Sequence, residues 1–267
     1  MKVIALMVTL VLVAGVSVFR NRQEQAKAPA LSERQASAIL ASTVQIAMFE
    51  HATEVGGSEA GSQGLGTVVA YGGERLILTH DHWGHLTPDL NEVEMRDAQG
   101  QLLLTLDAAA CMALMVYRDG GTMVLRAPAE LERLAASAPG APAGEGDVVW
   151  FARRDAASGR ATVEVAAATV TDVDGFGVPA GMRLRNLDGS AVIPGDSGGG
   201  VWAGGRLLGN LWAAGVKERQ ALWATLFGES GEPSDLTIVA LQPLDLLSTG
   251  GITRLNGGPE KADRDVE

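Results

Sequence analysis

The sequence predicts an all-β protein built from two antiparallel β-barrels. Three observations carry this prediction: short runs rich in Val, Leu and Thr, turn residues between many of them, and one break in the pattern. The chain has 34 glycines and 10 prolines among 267 residues, which suits short strands joined by turns. The break is the stretch "LERLAASAPGAPAGEG", residues 131–146, which is rich in Ala, Pro and Gly and divides the runs into two sets. Two such β-rich sets favour paired barrels over an alternating βαβ fold.

The two sets define the predicted domain limits. The first begins at "TVQIAMFE" and continues through "GTVVAY", "RLILT", "EVEMRD", "LLLTLD" and "TMVLRA", so we expect an N-terminal barrel over residues 43–135. Residues 136–146 are the expected linker between the barrels. The second set runs from "DVVWFARR" to "LTIVALQP" and predicts a C-terminal barrel over residues 147–250. We expect the tail, residues 251–267, to be disordered.

The N-terminus predicts a membrane segment. Residues 3–19 form an uncharged apolar run that ends at Arg20 and Arg22. We interpret residues 1–22 as an uncleaved anchor, or alternatively as a cleaved signal sequence that would release a secreted protein. Residues 23–42 are polar and Ala-rich, which predicts a tether with a short helix after Ser32.

Composition and motifs argue against nucleic acid, a disulfide and a cofactor. The formal net charge of -11 argues against nucleic acid, because phosphate binding needs clustered Lys and Arg. The single cysteine, Cys111, excludes an intrachain disulfide. We find no motif for a nucleotide or another cofactor, and therefore predict none.

Three histidines lie close together in "LILTHDHWGHL", residues 76–86. His80, His82 and His85 resemble the H-x-H-x-D-H motif of the metallo-β-lactamase superfamily, but Gly84 stands where that motif has its aspartate. A hydrolytic zinc site needs three or four ligands and an open position, and the only other histidine, His51, lies upstream. We therefore predict no metal site.

A second motif gives the histidines a different meaning. The stretch "VIPGDSGGGVWAGGRLLGNLWAAG", residues 192–215, contains G-D-S-G-G at 195–199. Together with "GLGTVV" at 64–69 and "LILTHDH" at 76–82, it resembles the chymotrypsin-like (trypsin-like) serine peptidases, of the bacterial type without disulfides. The resemblance covers roughly residues 43–248. It implies two β-barrels with the active site in the cleft between them.

The resemblance implies roles for particular residues. Ser197 would be the nucleophile and His82, three residues after Thr79, the general base that removes its proton. The backbone N–H groups of Gly195 and Ser197 would form the oxyanion hole. His80 would either line the wall of the site or support a catalytic residue from behind, and His85 would lie in a loop.

The carboxylate that orients the base is harder to assign. In the family it begins a strand, and strict alignment with "TMVLRA" puts Thr122 where the aspartate belongs. Asp119 lies three residues earlier, before the flexible pair Gly120-Gly121, and is our first candidate. Asp107 is the other candidate, and a site without an acid is the third possibility.

The resemblance also places the primary substrate pocket. The corresponding positions, Ala191, Val192, Leu211, Trp212 and Ala213, carry no charge, so the pocket should disfavour Lys and Arg side chains. The resemblance thus implies a serine endopeptidase acting on polypeptide and tethered to the membrane. It favours the extracytoplasmic face, whereas the local charge count, with Arg20, Arg22 and Lys27 after the apolar run against Lys2 and the amino terminus before it, points to the inside of the cell. The alternative is a catalytically impaired scaffold that binds peptides without cleaving them.

Overall fold

The structure is a computed structural model that describes the central part of the chain. The described residues are 30–50, 61–81, 91–119, 121–155, 162–173, 181–187, 195–216 and 236–241. The predicted anchor (1–22) and the predicted tail (251–267) lie outside them. No helix within the described ranges is long and apolar enough to cross a membrane.

A short helix precedes the first strand, as the Ser32 cap predicts. Helix α1 spans Glu33–Ser42 and begins with a capping box, in which the Ser32 hydroxyl accepts from the Gln35 backbone N–H and the Gln35 side chain accepts from the Ser32 N–H. Its residue Ile39 is 3% exposed and packs in a cluster with Leu65 and Trp202. The C-terminal half of the predicted tether is therefore part of the folded unit.

The N-terminal half of the fold is an antiparallel sheet of seven strands in the order β5-β4-β1-β2-β3-β7-β6. A second helix, α2 (Ala108–Ala113), connects β5 to β6, the two strands at the edges of this order. The strands are β1 (Thr43–Glu50), β2 (Gly61–Tyr71), β3 (Glu74–His80), β4 (Asn91–Asp97), β5 (Leu102–Asp107), β6 (Met115–Asp119) and β7 (Thr122–Arg126).

The C-terminal half is a closed antiparallel barrel in the order β10-β13-β12-β11-β8-β9. The β-rich prediction is confirmed in both halves, and barrel closure is found in this second half. Its strands are β8 (Val148–Arg154), β9 (Val163–Val173), β10 (Gly181–Asn186), β11 (Gly200–Ala203), β12 (Arg206–Val216) and β13 (Leu236–Leu241).

The halves are joined by a shared core and by the connecting segment. Each half has its own apolar cluster, and a further cluster with Leu65 from β2, Trp202 from β11 and Leu207 from β12 spans both. The segment after β7 is bonded to both sides, since the Ser137 N–H donates to Val68 O and the Gly140 N–H donates to Leu207 O. Burial of the apolar side chains in this shared cluster stabilises the packing of the two halves against each other.

Candidate active site

Ser197 lies in a tight turn that leads into β11. Gly195 has φ of +101° and Gly198 has φ of +86°, a backbone conformation that glycine adopts at little cost. Ser197 itself is half-buried between these two residues. The two glycines of the motif thus allow the chain to reverse on both sides of the serine.

Backbone hydrogen bonds hold this turn to both halves of the fold. The Leu65 N–H of β2 donates to Ser197 O at 2.8 Å, and the Gly198 N–H donates to Leu211 O of β12 at 2.8 Å. Inside the turn, the Gly199 N–H donates to Asp196 O at 3.0 Å. Ser197 therefore lies at the junction of the two sheets.

Two backbone donors of the turn remain available. Within the described part of the chain, the N–H groups of Gly195 and Ser197 donate to no protein acceptor, in contrast to those of Gly198 and Gly199. A pair of N–H groups on one tight turn is the kind of donor set that stabilises a developing oxyanion.

The side chain of Asp196 holds the turn to the end of β8. Asp196 is 0% exposed, and its Oδ1 accepts a hydrogen bond of 2.7 Å from the backbone N–H of Arg154, the last residue of β8. A buried carboxylate needs such donors. This bond fixes the end of β8 beside the serine turn.

Two glycines leave no room for a side chain around Ser197. A methyl group on Gly64 would meet His80 Nε2 and would lie 2.9 Å from Ser197 O. A methyl group on Gly198 would meet Leu65 O and would lie 2.6 Å from Thr79 Oγ1. Gly64 opens the "GLGTVV" motif, and its role here is steric: it lets β2 approach the serine turn.

The structure treats the three clustered histidines differently. His80 ends β3, is 2% exposed and packs against Gly64 and Gly198, beside the turn that carries Ser197. His82 and His85 lie outside the described residues, so the assignment of His82 as the base stays a prediction. The strand leading to His82 is held at Asp81, whose N–H donates to Gly121 O and whose Oδ2 accepts from the Gly121 N–H.

The position aligned with the orienting acid is held by a neutral hydrogen-bonded pair. Thr122 is the backbone partner of His80, is 1% exposed, and donates from Oγ1 to Asn210 Oδ1 at 3.0 Å. Asn210, 0% exposed, comes from β12 in the other half. Sequence reasoning missed Asn210. The signal for it was a polar residue inside the apolar run "LLGNLW".

The two candidate acids have different settings. Asp107 caps helix α2, and its Oδ1 accepts from the Ala110 N–H at 2.6 Å, so its carboxylate has a structural role at the end of β5. Asp119 ends β6, and its backbone lies opposite Thr122 in the β6–β7 hairpin. The side chain of Asp119 is outside what the structure describes, and its assignment stays a prediction.

Part of the predicted substrate pocket is described. Leu211 is 2% exposed and bonds the turn through both its N–H and its carbonyl, while Trp212 is half-buried. Ala213 belongs to β12, and Ala191 and Val192 lie outside the described residues. Among the described residues, no group of three His, Cys, Asp or Glu side chains is placed to hold a metal ion.

Comparisons with known proteins support the fold. No protein-family model matches the sequence, and no curated protein matches it. Among solved structures, a variant of the HtrA-type protease AlgW with a bound tripeptide superposes with a TM-score of 0.53 at 17% identity, over 83% of this chain and 64% of that one. The decapeptide complex of the variant gives a TM-score of 0.55 at 14% identity, over 85% and 68%.

AlgW itself with a tripeptide gives a TM-score of 0.55 at 17% identity, over 85% of this chain and 65% of that one. The chain thus spans about two thirds of the length of these neighbours, whose identity is low enough that the likeness speaks for the fold alone. The chain has the fold of the HtrA-type, trypsin-like serine proteases.

Proposed function

We propose that this protein is a serine endopeptidase in which Ser197 is the nucleophile, His82 the general base and Asp119 the acid that orients the base. The observation that carries the proposal is the serine turn. It lies at the junction of the two halves and is held by backbone bonds to Leu65 and Leu211. Its Gly195 and Ser197 N–H groups donate to no acceptor among the residues that the structure describes.

The chemistry follows from these parts. The imidazole of His82 removes the hydroxyl proton of Ser197, whose oxygen attacks the carbonyl carbon of a peptide bond. Negative charge develops on the carbonyl oxygen, where the N–H groups of Gly195 and Ser197 stabilise it, each worth roughly 3–4 kcal/mol. The imidazolium then gives its proton to the leaving amine, and water hydrolyses the acyl-enzyme.

Polypeptide is the substrate class that we propose. Solved neighbours of the same fold carry a bound tripeptide or decapeptide. The apolar side chain of Leu211 and the half-buried Trp212 lie on the strand bonded to the serine turn, which suits an uncharged primary pocket. We further propose that the uncharged run of residues 3–19 tethers the enzyme to a membrane, with the folded unit on the extracytoplasmic face.

A second function is favoured by one observation. Thr122 occupies the strand position opposite His80 and is bonded to Asn210, so that position carries no negative charge. Without a carboxylate elsewhere, the base would lack the group that holds its tautomer and stabilises its protonated form. The protein would then bind peptides as a scaffold and cleave them slowly or not at all.

Covalent labelling separates the two functions. We expect the full chain, in mild detergent at pH 8, to react with a fluorophosphonate probe at one site, identified as Ser197 by peptide mass spectrometry. Ser197→Ala is the control and should not be labelled, while its thermal melting should match the parent. An unmodified intact mass after prolonged incubation would contradict the peptidase proposal and favour the scaffold.

A further inference from the structure

A pocket of about 230 Å³ is lined by residues of β1, β2 and β4 and by Arg154, the last residue of β8. Its floor is the outer face of three adjacent strands: Gln45 of β1 pairs with Arg96 of β4, and Ala47 pairs with Glu94 of β4 and Gln63 of β2. The neighbouring residues of β1, such as Ile46, bury their side chains in the core.

Most of the charge in this pocket is internally neutralised. Glu94 Oε2 accepts from Arg96 Nε at 3.1 Å and from Arg96 Nη2 at 2.6 Å, and Arg96 Nη1 donates to Gly100 O. The Gln45 amide donates to Asp97 O. The ion pair between Glu94 and Arg96 therefore lines the pocket and adds little net charge to it.

Arg154 is the exception. Its side chain lines the same pocket, and within the described part of the chain its guanidinium makes no hydrogen bond or ion pair with the protein. Arg154 as a whole is half-buried. A guanidinium has five donors and a fixed charge and binds anions, most effectively a planar carboxylate that accepts two bonds at once.

The same side chain lies against the serine turn. A methyl group placed on Gly195 would be 3.0 Å from Arg154 Cδ and 3.1 Å from its Nη1. The backbone of Arg154 is fixed there by its bond to Asp196. Gly195 is two residues from Ser197, and two trans peptide units span at most about 7.6 Å between Cα atoms. The guanidinium of Arg154 is thus within a few residues' reach of a peptide carbonyl that Ser197 attacks.

We propose that Arg154 is a specificity residue that binds a carboxylate of the polypeptide substrate, within about three residues of the scissile bond. This inference rests on the proposed function. Two sources supply the same chemistry, an Asp or Glu side chain and the free C-terminus of a short peptide. The whole chain carries a net charge of -11, so the attraction for a carboxylate is local to Arg154. Because Arg154 is half-buried, salt should screen this attraction less than it screens a fully exposed ion pair.

Peptide profiling tests this proposal. The full chain is incubated with acetylated, amidated decapeptides in which each position is randomised in turn, and the products are sequenced by mass spectrometry. We expect enrichment of Asp and Glu at one position near the cut, and a KM about tenfold higher when that residue is Ala, with kcat little changed. Arg154→Ala should remove the preference, and Arg154→Glu should favour Lys or Arg there instead.

The matched control is Arg126→Ala, which removes the same charge at a different place. Arg126 is the last residue of β7, at the end of the strand away from Thr122. It should keep the acidic preference, and Arg154→Lys should keep part of it. Repeating the assay with free C-termini distinguishes the two carboxylate sources, because only terminal recognition gains from removal of the amide. An unchanged profile in Arg154→Ala and Arg154→Glu chains that melt like the parent would overturn the proposal.

Failure of the peptidase function is distinguishable from failure of this inference. If Ser197 is never labelled by fluorophosphonate, acidic and Ala-substituted fluorescent decapeptides are titrated into the Ser197→Ala chain with and without Arg154→Ala, and fluorescence polarisation is read. Selective binding of acidic peptides that depends on Arg154 supports the site without catalysis. Serine labelling without any acidic preference supports the peptidase and contradicts the role of Arg154.

Discussion

Thr122 and Asn210 form a hydrogen bond of 3.0 Å between the two halves of the fold, with Thr122 Oγ1 as the donor and both residues buried. The bond joins β7, beside the strand that leads to the predicted base, to β12, which holds the serine turn through Leu211. It therefore stabilises the junction on which the candidate site is built.

Replacing Thr122 by Val should lower the free energy of unfolding by about 1–3 kcal/mol, because Asn210 Oδ1 would be left buried without this donor. Urea denaturation measures the change. Thr122→Ser, which keeps the hydroxyl, should retain most of the stability. A loss of stability in Thr122→Ser as large as that in Thr122→Val would contradict the hydrogen bond as the source of the effect.

The proposed acid is tested by a matched pair of variants. Asp119→Asn should reduce turnover by around 10⁴-fold, because an amide favours the wrong tautomer of the imidazole. Asp107→Asn should change turnover little and cost little stability, since Asp107 caps α2 and asparagine caps a helix about as well as aspartate. Steady-state kinetics and thermal melting read the two effects. Near-normal turnover in Asp119→Asn would exclude Asp119 as the orienting residue.

The tight packing around Ser197 predicts that alanine substitutions at two glycines of nearly equal φ will affect labelling of the serine differently. Gly198 (φ +86°) would place a methyl group against Leu65 O, whereas Gly73 (φ +85°) has open space around it. Gly198→Ala should slow fluorophosphonate labelling of Ser197 by at least about a hundredfold, since a displacement near 1 Å misaligns the nucleophile. Gly73→Ala should cost about 1–2 kcal/mol of stability and leave labelling intact. Similar labelling rates in both would argue against a sterically closed turn.

Cys111 should be inert in the folded protein. It is 3% exposed in the N-terminal core, and burial raises the pKa of its thiol from an ordinary value of 9.0 to about 11. The thiolate is the reactive form, so a disulfide reagent at pH 8 should modify it quickly in urea and slowly without. Since the unfolded thiol loses its proton first, this group's contribution to stability falls as pH rises from about 9 to about 11. Rapid native-state labelling would contradict the buried placement.

Removal of metal ions should leave the reactivity of Ser197 unchanged. The downstream ligands of a hydrolytic zinc site are missing from the sequence, and Gly84 interrupts the histidine motif. We therefore expect EDTA to leave fluorophosphonate labelling unchanged and elemental analysis to find no stoichiometric zinc. About one zinc per chain, lost together with labelling, would reverse the conclusion on His80, His82 and His85.

The sequence alone determined the β-rich halves, the Ser32 cap and the serine turn. These features depend on neighbours in the chain: alternating apolar residues form strands, Ser32 and Gln35 bond within one helical turn, and Gly195 and Gly198 reverse the backbone around Ser197. The anchor, the base His82 and the acid Asp119 remain predictions from the same source.

Only the tertiary structure decided which distant residues meet. Asn210 reaches Thr122 because strands from the two separate halves pack against each other, and Arg154 lies against Gly195 because β8 pairs with β11 in the C-terminal barrel. Neither pair has a local signature, since a buried hydrogen bond between residues 88 positions apart depends on sheet register and not on spacing. Asp107 shows the converse. In the sequence it is a candidate for the catalytic acid beside Asp119, whereas in the structure it caps helix α2 and has a structural role.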